Sequence, residues 1–317
     1  MNLAFNIKRR RMELGVSQEE LAKKLGYKSR SAIAKIESGQ SDIPFSKLLE
    51  LSHALDTSIQ LLLAGVDQEP ESGRGSATAL GRKHRNIGVI LAGGQSTRNL
   101  QNIPNQFINV MGRPVITYCL ETYQRHPLID EIFVVCRSEW RGIVEAYSKE
   151  YGIDKLRGLI PAGPSGVTSA FKALDVLTKL KYKSEDVVVL QESTRPFVTE
   201  EMVTKLLSTC QKYGSAITCE TMEDYVQYQV EGKSTRYLKR DEIVDLQSPD
   251  AHTIEALTDL LAKAKSKSHR LNESCIGLLM SNLGMNLNFC EGNHNNIKIV
   301  RQEDLAIFQA LLKTQKL

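Results

Sequence analysis

Residues 87–98 read IGVILAGGQSTR, an apolar run that ends in a glycine pair, with Arg98 four residues beyond it. The apolar run predicts a buried strand. Glycines directly after a strand let the backbone approach a phosphate chain, and the free N–H groups together with Arg98 would bind its charge. A tight structural turn is the commoner origin of such a pair, so the stretch alone predicts a strand and a loop but no ligand.

Downstream of this stretch, short apolar runs alternate with amphipathic helical segments. The apolar runs are IFVVC at 132–136, DVVVLQE at 186–192 and AITCE at 216–220. The helical segments are VITYCLETYQRH at 115–126, RGIVEAYSKEYG at 141–152 and EEMVTKLLSTCQKYG at 200–214. Buried strands separated by helices predict an α/β domain with a mostly parallel sheet.

The composition limits the class of protein. A chain of 317 residues suggests about two domains, and 41% hydrophobic residues exclude a wholly disordered chain. No run approaches the roughly 20 apolar residues that span a bilayer, and no export segment follows the basic N-terminus. We therefore expect a cytoplasmic protein with no membrane partner. The six cysteines have no metal-ligand spacing, so we expect buried thiols.

Residues 67–86, DQEPESGRGSATALGRKHRN, have the composition of a flexible linker. They separate residues 1–66, called the head, from residues 87–317, called the body. Residues 1–86 contain 14 Lys and Arg against 10 Asp and Glu, whereas the remaining 27 and 27 cancel. The excess positive charge therefore lies on the head and linker, where a polyanion would use it, although a charge of +4 also fits a solvated surface.

The head contains the segment SQEELAKKLGYKSRSAIAKIESGQ at 17–40. Ser17 followed by Glu20 is a capping-box pattern that predicts the start of a short helix, and Gly26 predicts its end. A second helix is predicted to begin near Ser29. The expected buried face carries Leu21, Ala22, Leu25, Ile33 and Ile36. Two short helices joined by a tight turn place the second one in position to enter a DNA major groove.

This segment resembles the Cro-type phage repressors, or XRE family, through Gln18, the spacing of Ala22 and Gly26, and the run from Ser31 to Gly39. The resemblance covers nearly all of residues 5–65 and implies a DNA operator as partner. It implies a phosphate contact for Gln18 and base contacts along the second helix. The expected DNA-binding residues are Gln18, Lys28, Arg30, Ser31 and Lys35. A helical module that mediates only protein contacts is the alternative.

Six segments of the body occur in a characteristic order. They are PNQF at 104–107, GRPVITYCLETY at 112–123, ESTRPF at 192–197, KRDEIVDLQSPD at 239–250, NESC at 272–275 and NIKIVRQEDL at 296–305. This series resembles the methylerythritol 4-phosphate and ribitol 5-phosphate cytidylyltransferases, with the ribitol branch slightly closer. The resemblance implies a Rossmann-like α/β sheet of the nucleotide-diphospho-sugar transferase type, a protruding β-arm, a homodimer and a nucleotide site that uses Mg²⁺.

The resemblance also assigns roles to single residues. It implies that the CTP phosphates are wrapped by a loop and that the cytosine nucleotide is held by a serine. The implied nucleotide-binding residues are Ala92, Gly93, Gly94, Arg98, Ser169 and Lys298. Arg240 and Ser248 fall on arm positions that hold the polyol phosphate. CTP, a CDP-polyol and a polyol phosphate are the implied ligands.

Several departures from the family pattern lie in this site. In the loop, Ser96 and Asn99 replace glycine and methionine; in PNQF, Asn105 stands where a catalytic lysine is expected. Glu192 stands at the metal-binding aspartate, and Gly166 replaces an arginine of the base-binding loop. Asparagine brings no charge, and the longer glutamate moves a carboxylate that would bind Mg²⁺, an ion with strict octahedral geometry.

Three hypotheses follow. The leading one is a DNA-binding transcriptional regulator whose body is catalytically degenerate, dimerises the protein and senses a cytidine nucleotide or polyol phosphate. The alternative is an active CTP-dependent polyol-phosphate cytidylyltransferase with an appended DNA-binding domain. In the third, the body is a dimerisation scaffold without a ligand. The neutral Asn105 favours the first over the second, and the retained Arg98, Arg240 and Lys298 favour the first over the third.

Overall fold

The computed structural model describes residues 3–27, 29–41, 43, 45–55, 57, 62, 84–95, 103–223 and 226–314. The chain divides into two compact units, residues 1–83 and 84–317, which contain the head and the body. Most of the expected linker and four of the residues singled out above, Lys28, Ser96, Arg98 and Asn99, lie outside the described residues. Within the described ranges, no helix is long and apolar enough to cross a membrane.

The head is helical, with α1 (Leu3–Glu13), α2 (Gln18–Lys24), α3 (Arg30–Glu37) and α4 (Phe45–Ala54). The capping box is confirmed: the Ser17 hydroxyl accepts from the Glu20 N–H, and the Glu20 carboxylate accepts from the Ser17 N–H. Gly26 has a φ of +72°, a conformation in which glycine is favoured, and this ends α2 as predicted. The five residues expected on the buried face belong to the apolar core of the head.

The body contains a seven-stranded sheet. Its strands are β1 (Asn86–Ala92), β4 (Glu131–Cys136), β5 (Leu156–Pro161), β6 (Val187–Glu192), β7 (Ser215–Thr221), β10 (Val244–Thr253) and β11 (Phe289–Glu291), in the order β11-β7-β10-β6-β1-β4-β5. Among these strands only β10 runs antiparallel to its neighbours, β6 and β7. The expected mostly parallel sheet is therefore confirmed.

Seven helices of the body have described bounds. They are α5 (Val115–Arg125), α6 (Arg141–Glu150), α7 (Gly166–Lys179), α8 (Glu200–Tyr213), α9 (Ile254–Ser266), α10 (Ile276–Asn282) and α11 (Gln302–Thr314). Helices lie on both faces of the sheet. The contacts of β1 show this, because successive side chains of a strand point to opposite faces. Ile87 and Val89 of β1 share a core cluster with Val167 and Phe171 of α7, whereas Gly88 lies against Tyr123 of α5.

Two small hairpins complete the body. The pair β2 (Asn109–Val110) and β3 (Arg113–Pro114) precedes α5, and the pair β8 (Val226–Val230) and β9 (Lys233–Leu238) leaves the main sheet between β7 and β10. The second hairpin corresponds to the expected β-arm. The resemblance implied that Ser248 lies on this arm, and this is wrong. Residues 244–253 belong to strand β10 of the main sheet.

Candidate functional site

The carboxyl ends of β1, β4, β5 and β6 meet at one edge of the sheet, where ligands bind in folds of this class. Two adjoining cavities open there. The larger, of about 790 Å³, is lined by residues that follow these strands and by residues 298–300. The smaller, of about 300 Å³, is lined mainly by β10 and the start of α10. Five residues line both: Leu91, Gly166, Glu192, Ser274 and Lys298.

The glycine loop after β1 forms one wall of the larger cavity through Gly93 and Gly94, and their expected contact with the CTP phosphates stays a prediction. A Cβ atom at Gly93 would lie 2.5 Å from the Ala162 Cβ, so the loop can pack here only with glycine. The Gln106 amide donates to the carbonyls of Ala92 (2.8 Å) and Gly94 (3.0 Å) and fixes the loop. The sequence did not indicate this role of Gln106, although its amide lies next to Asn105 within the PNQF segment.

The N-terminus of α7 forms a further part of the wall, close to the glycine loop. Ser165 caps the helix by accepting from the Thr168 N–H, and the remaining N–H groups of the first turn carry the partial positive charge of a helix start. The Ser169 hydroxyl accepts from the Gly163 N–H at 3.0 Å, so Ser169 shapes the wall as well as lining it. A Cβ atom at Gly166 would overlap the Ser274 carbonyl oxygen. A side chain at this position would therefore require the segment around Ser274 to move.

The boundary between the two cavities carries a network of charges. Lys298 Nζ lies 2.5 Å from one carboxylate oxygen of Glu192, and Arg195 Nε lies 3.1 Å from the other. Arg195 is buried and also donates to the carbonyl of Asn296 at 2.7 Å. The Lys298 side chain is 40% exposed and can turn from Glu192 to another anion. Lys298 and Glu192 therefore line both cavities, and Arg195 adds a second cation to the smaller one.

Asn105 is fully buried and lines neither cavity. Its amide donates to the carbonyls of Ile299 and Val300, both at 3.1 Å. The residue at the expected catalytic position is thus an anchor for the segment that carries Lys298. Asn105 therefore contacts the backbone of this segment and not the lining of either described cavity.

The smaller cavity is mostly apolar, with polar groups supplied by β10. The Ser248 hydroxyl lies on its wall and accepts from the Glu192 N–H at 3.1 Å. Arg240 lies in a short 3-10 turn before β10, is exposed, and donates to the carbonyl of Glu223 at 3.2 Å. It lines neither described cavity of its own chain, so the structure does not bring Arg240 and Ser248 together around one cavity.

The larger cavity has a further cation that the sequence did not indicate. Arg137 follows β4 and lines the cavity, where its partner is the exposed Glu139 at 2.8 Å. Cys275 lines the smaller cavity, and burial raises the pKa of its thiol. The walls next to the glycine loop thus carry Arg137 and Lys298 against one carboxylate, Glu192, which suits a polyanionic ligand.

The site offers one protein carboxylate to a Mg²⁺ ion. In the described part of the chain, no group of three His, Cys, Asp or Glu side chains could hold a metal ion. Mg²⁺ is commonly bound by one or two carboxylates together with substrate phosphates and water. Glu192 is one such carboxylate at the boundary of the cavities. It can serve as a ligand for an ion that also binds a triphosphate.

On the head, α3 presents Arg30, Ser31 and Lys35 to solvent, as a recognition helix requires. The Gln18 amide donates to Glu37 at 2.9 Å, and Arg11 donates to the same carboxylate at 2.6 Å. Burial opposes ionisation of Glu37, but these hydrogen bonds outweigh it and lower its pKa. Gln18 therefore joins the start of α2 to the end of α3, and its phosphate contact stays a prediction.

Comparison with known proteins defines both parts of the chain. A helix-turn-helix model matches residues 7–62, and a model described as 2-C-methyl-D-erythritol 4-phosphate cytidylyltransferase matches residues 87–314. A ribitol-5-phosphate cytidylyltransferase of Lacticaseibacillus paracasei is 33% identical over 231 residues, covering 72% of this chain and 98% of that protein. The chain belongs to the 2-C-methyl-D-erythritol 4-phosphate cytidylyltransferase family.

Sequence identity to this chain differs between the two named groups of enzymes. A 2-C-methyl-D-erythritol 4-phosphate cytidylyltransferase of Clostridium kluyveri is 29% identical over 234 residues, 73% of this chain and 98% of that protein. The crystal structure of 4-diphosphocytidyl-2C-methyl-D-erythritol synthase from Anaerococcus prevotii aligns with a TM-score of 0.61 at 23% identity, over 73% of this chain and 96% of that one. The expected helix-turn-helix head and α/β cytidylyltransferase body are both confirmed.

Proposed function

We propose that the chain is a CTP-dependent polyol-phosphate cytidylyltransferase that carries a DNA-binding domain. The observation that supports this most is the pair of adjoining cavities with Glu192 and Lys298 in both walls. Two cavities that share charged groups suit a reaction between two phosphorylated substrates. The relatives named as ribitol-5-phosphate cytidylyltransferases favour this enzyme over the degenerate regulator that the sequence led us to expect.

In this mechanism the CTP triphosphate lies against Gly93, Gly94 and the start of α7, and the polyol phosphate occupies the smaller cavity. A phosphate oxygen of the polyol phosphate attacks the α-phosphorus of CTP. The bond from that phosphorus to the bridging oxygen breaks, and pyrophosphate leaves with the electron pair. The products are a CDP-linked polyol and pyrophosphate.

Lys298 and Arg195 are the cations closest to the boundary where the phosphates would meet. Negative charge builds up around phosphorus in the transition state, and fixed cations stabilise it. The Lys298 ammonium must turn from Glu192 to phosphate for this purpose. A Mg²⁺ ion held by Glu192 and the triphosphate would add positive charge. Asn105 contributes by holding residues 299 and 300, and with them Lys298, in place.

A coupled assay of pyrophosphate release tests the proposal on the full chain. With CTP, Mg²⁺ and either ribitol 5-phosphate or 2-C-methyl-D-erythritol 4-phosphate, we expect turnover of about 1–10³ per second. Lys298→Met should lower turnover by roughly 10²–10³. Lys313→Met, an exposed lysine on α11, is the matched control and should leave turnover unchanged.

A second candidate is the ligand-sensing regulator without catalysis, because the family's lysine position carries the neutral, buried Asn105. The same preparation separates the two functions. If calorimetry detects CTP binding while no pyrophosphate is released with either acceptor, the regulator is correct and the enzyme is not. Turnover in the expected range excludes the degenerate body.

For the head, we propose binding to double-stranded operator DNA through α3, which implies work in the cytoplasm on the nucleoid. We also propose a homodimer, which would place two heads on half-sites about one helical turn, roughly 34 Å, apart or a multiple of it. Gel-shift titration against the upstream region of the protein's own operon tests the first proposal, and light scattering tests the second. A monomer at micromolar concentration, with and without DNA, would contradict the dimer.

A further inference from the structure

A buried carboxylate and a buried imidazole form a pair beside the smaller cavity. Asp250 and His252 lie two residues apart on β10, so their side chains share one face of the sheet. His252 Nε2 lies 2.8 Å from Asp250 Oδ2. Asp250 lines the cavity, whereas His252 is 1% exposed and lies behind it.

The cross-strand neighbours of this pair are apolar except for Ser215 of β7, the second partner of His252. Leu190 of β6 and Ile217 of β7 are the cross-strand partners of Asp250, and Val188 of β6 is a partner of His252. Burying two ionisable side chains among such residues costs desolvation free energy. Proteins keep such unfavourable groups mainly at functional sites. Because Asp250 lies on a cavity wall, its carboxylate can contact a ligand in that cavity.

Asp250 also differs from the other buried polar groups that β10 supplies to the cavity. The side-chain oxygen of Gln247, Oε1, accepts from the Asn296 amide at 3.1 Å, and its Nε2 donates to the Glu220 carboxylate at 3.0 Å. Both ends of this side chain are therefore already hydrogen-bonded. The Ser248 hydroxyl accepts from the Glu192 N–H. Among the described residues, His252 is the single hydrogen-bond partner of the Asp250 carboxylate, and Oδ1 is left for a ligand.

We propose that Asp250, oriented by His252, binds hydroxyl groups of the acceptor's polyol chain. This inference rests on the proposed function and adds to it a residue that recognises the hydroxylated part of the substrate. A carboxylate accepts hydrogen bonds from hydroxyl groups and repels a second anion, so it suits the chain of a polyol phosphate and not its phosphate. The phosphate end lies toward Lys298 and Arg195, and the chain extends toward Asp250. His252 is a positioning residue because it acts through the carboxylate.

The test compares Asp250→Asn with the unmodified full chain. Because a hydrogen bond to a charged group is lost, the KM and the calorimetric Kd for ribitol 5-phosphate should rise roughly 10- to 100-fold, while the KM for CTP stays within about twofold. The inhibition constant of n-pentyl phosphate, which has the chain and the phosphate but no hydroxyl group, should not rise. Asp259→Asn, which removes a carboxylate from the exposed face of α9, should behave like the unmodified chain.

Two variants of His252 keep the carboxylate in place and make the test independent of Asp250→Asn folding. His252→Leu removes the donor and should raise the Kd for ribitol 5-phosphate. His252→Gln retains an amide donor and should restore tight binding. This rescue distinguishes positioning of Asp250 from a general packing role.

The outcomes separate this inference from the proposed function. If the unmodified chain neither turns over nor binds a polyol phosphate, the proposed function fails and the inference fails with it. If it turns over normally and Asp250→Asn leaves the KM for ribitol 5-phosphate unchanged, the inference alone is wrong. An equal loss of affinity for ribitol 5-phosphate and n-pentyl phosphate also overturns it, because the hydroxyl groups would then make no difference.

Discussion

Replacing Asn105 by alanine should loosen the larger cavity from behind. The Asn105 amide joins the turn at 105–107 to the carbonyls of Ile299 and Val300, directly after Lys298. Alanine removes both bonds and leaves the two carbonyls without this donor. We therefore expect a less stable body and weaker CTP binding from one substitution that touches neither cavity.

The magnitude follows from the two contacts. Each lost hydrogen bond costs about 0.5–1.5 kcal/mol net, or about 1–3 kcal/mol for both. The void left by the fully buried side chain adds about 1 kcal/mol. The sum of about 2–4 kcal/mol lowers the melting temperature of a unit of this size by roughly 4–16 °C.

The single tryptophan makes the measurement specific for the body. Trp140 stacks on Phe107 with ring centroids 4.6 Å apart, and the head contains no tryptophan. Thermal unfolding and CTP titration can therefore both be followed by tryptophan fluorescence. Asn109→Ala, an exposed asparagine nearby, is the control and should melt like the unmodified chain. If Asn105→Ala melted within about 1 °C of that control and bound CTP equally well, the anchoring role would be refuted.

Three further predictions concern single residues. Arg30→Ala should cost about 1–3 kcal/mol of DNA affinity and relax base choice in gel-shift titrations; unchanged specificity would mean that another surface reads the bases. Gly166→Ala should destabilise the body by about 1–3 kcal/mol or more, since its Cβ would overlap the Ser274 carbonyl oxygen; an unchanged melting temperature would contradict this. Because the pKa of Glu37 is lower in the folded head than in the unfolded chain, ionised Glu37 stabilises the head at pH values above about 4.5, and this stabilisation is lost as the pH falls below that value. Thermal unfolding followed by circular dichroism should show that Glu37→Gln removes this acid-dependent loss of stability.

The sequence alone determined the elements and their class. Apolar runs separated by amphipathic segments predicted strands β1, β4, β6 and β7 and the intervening helices, because burial of one face imposes a period that can be read locally. The capping box at Ser17 and the break at Gly26 were equally local, since each depends on residues within one turn. The order of the motifs predicted the family, and the glycine pair predicted a loop at the edge of the sheet.

Only the tertiary structure decided what the charged and polar side chains contact. Lys298 meets Glu192 across 106 positions of the chain, and Asn105 reaches Ile299 across 194, so no local pattern indicates either pairing. Asn105 was therefore expected to face a ligand but holds the backbone of another segment. In the sequence, Asp250 was only the last residue of the motif at 239–250 and His252 belonged to no motif, because their significance comes from the neighbours and the cavity that the folded sheet brings around them. Side-chain partners distant in sequence are set by packing, and packing is decided by the whole chain.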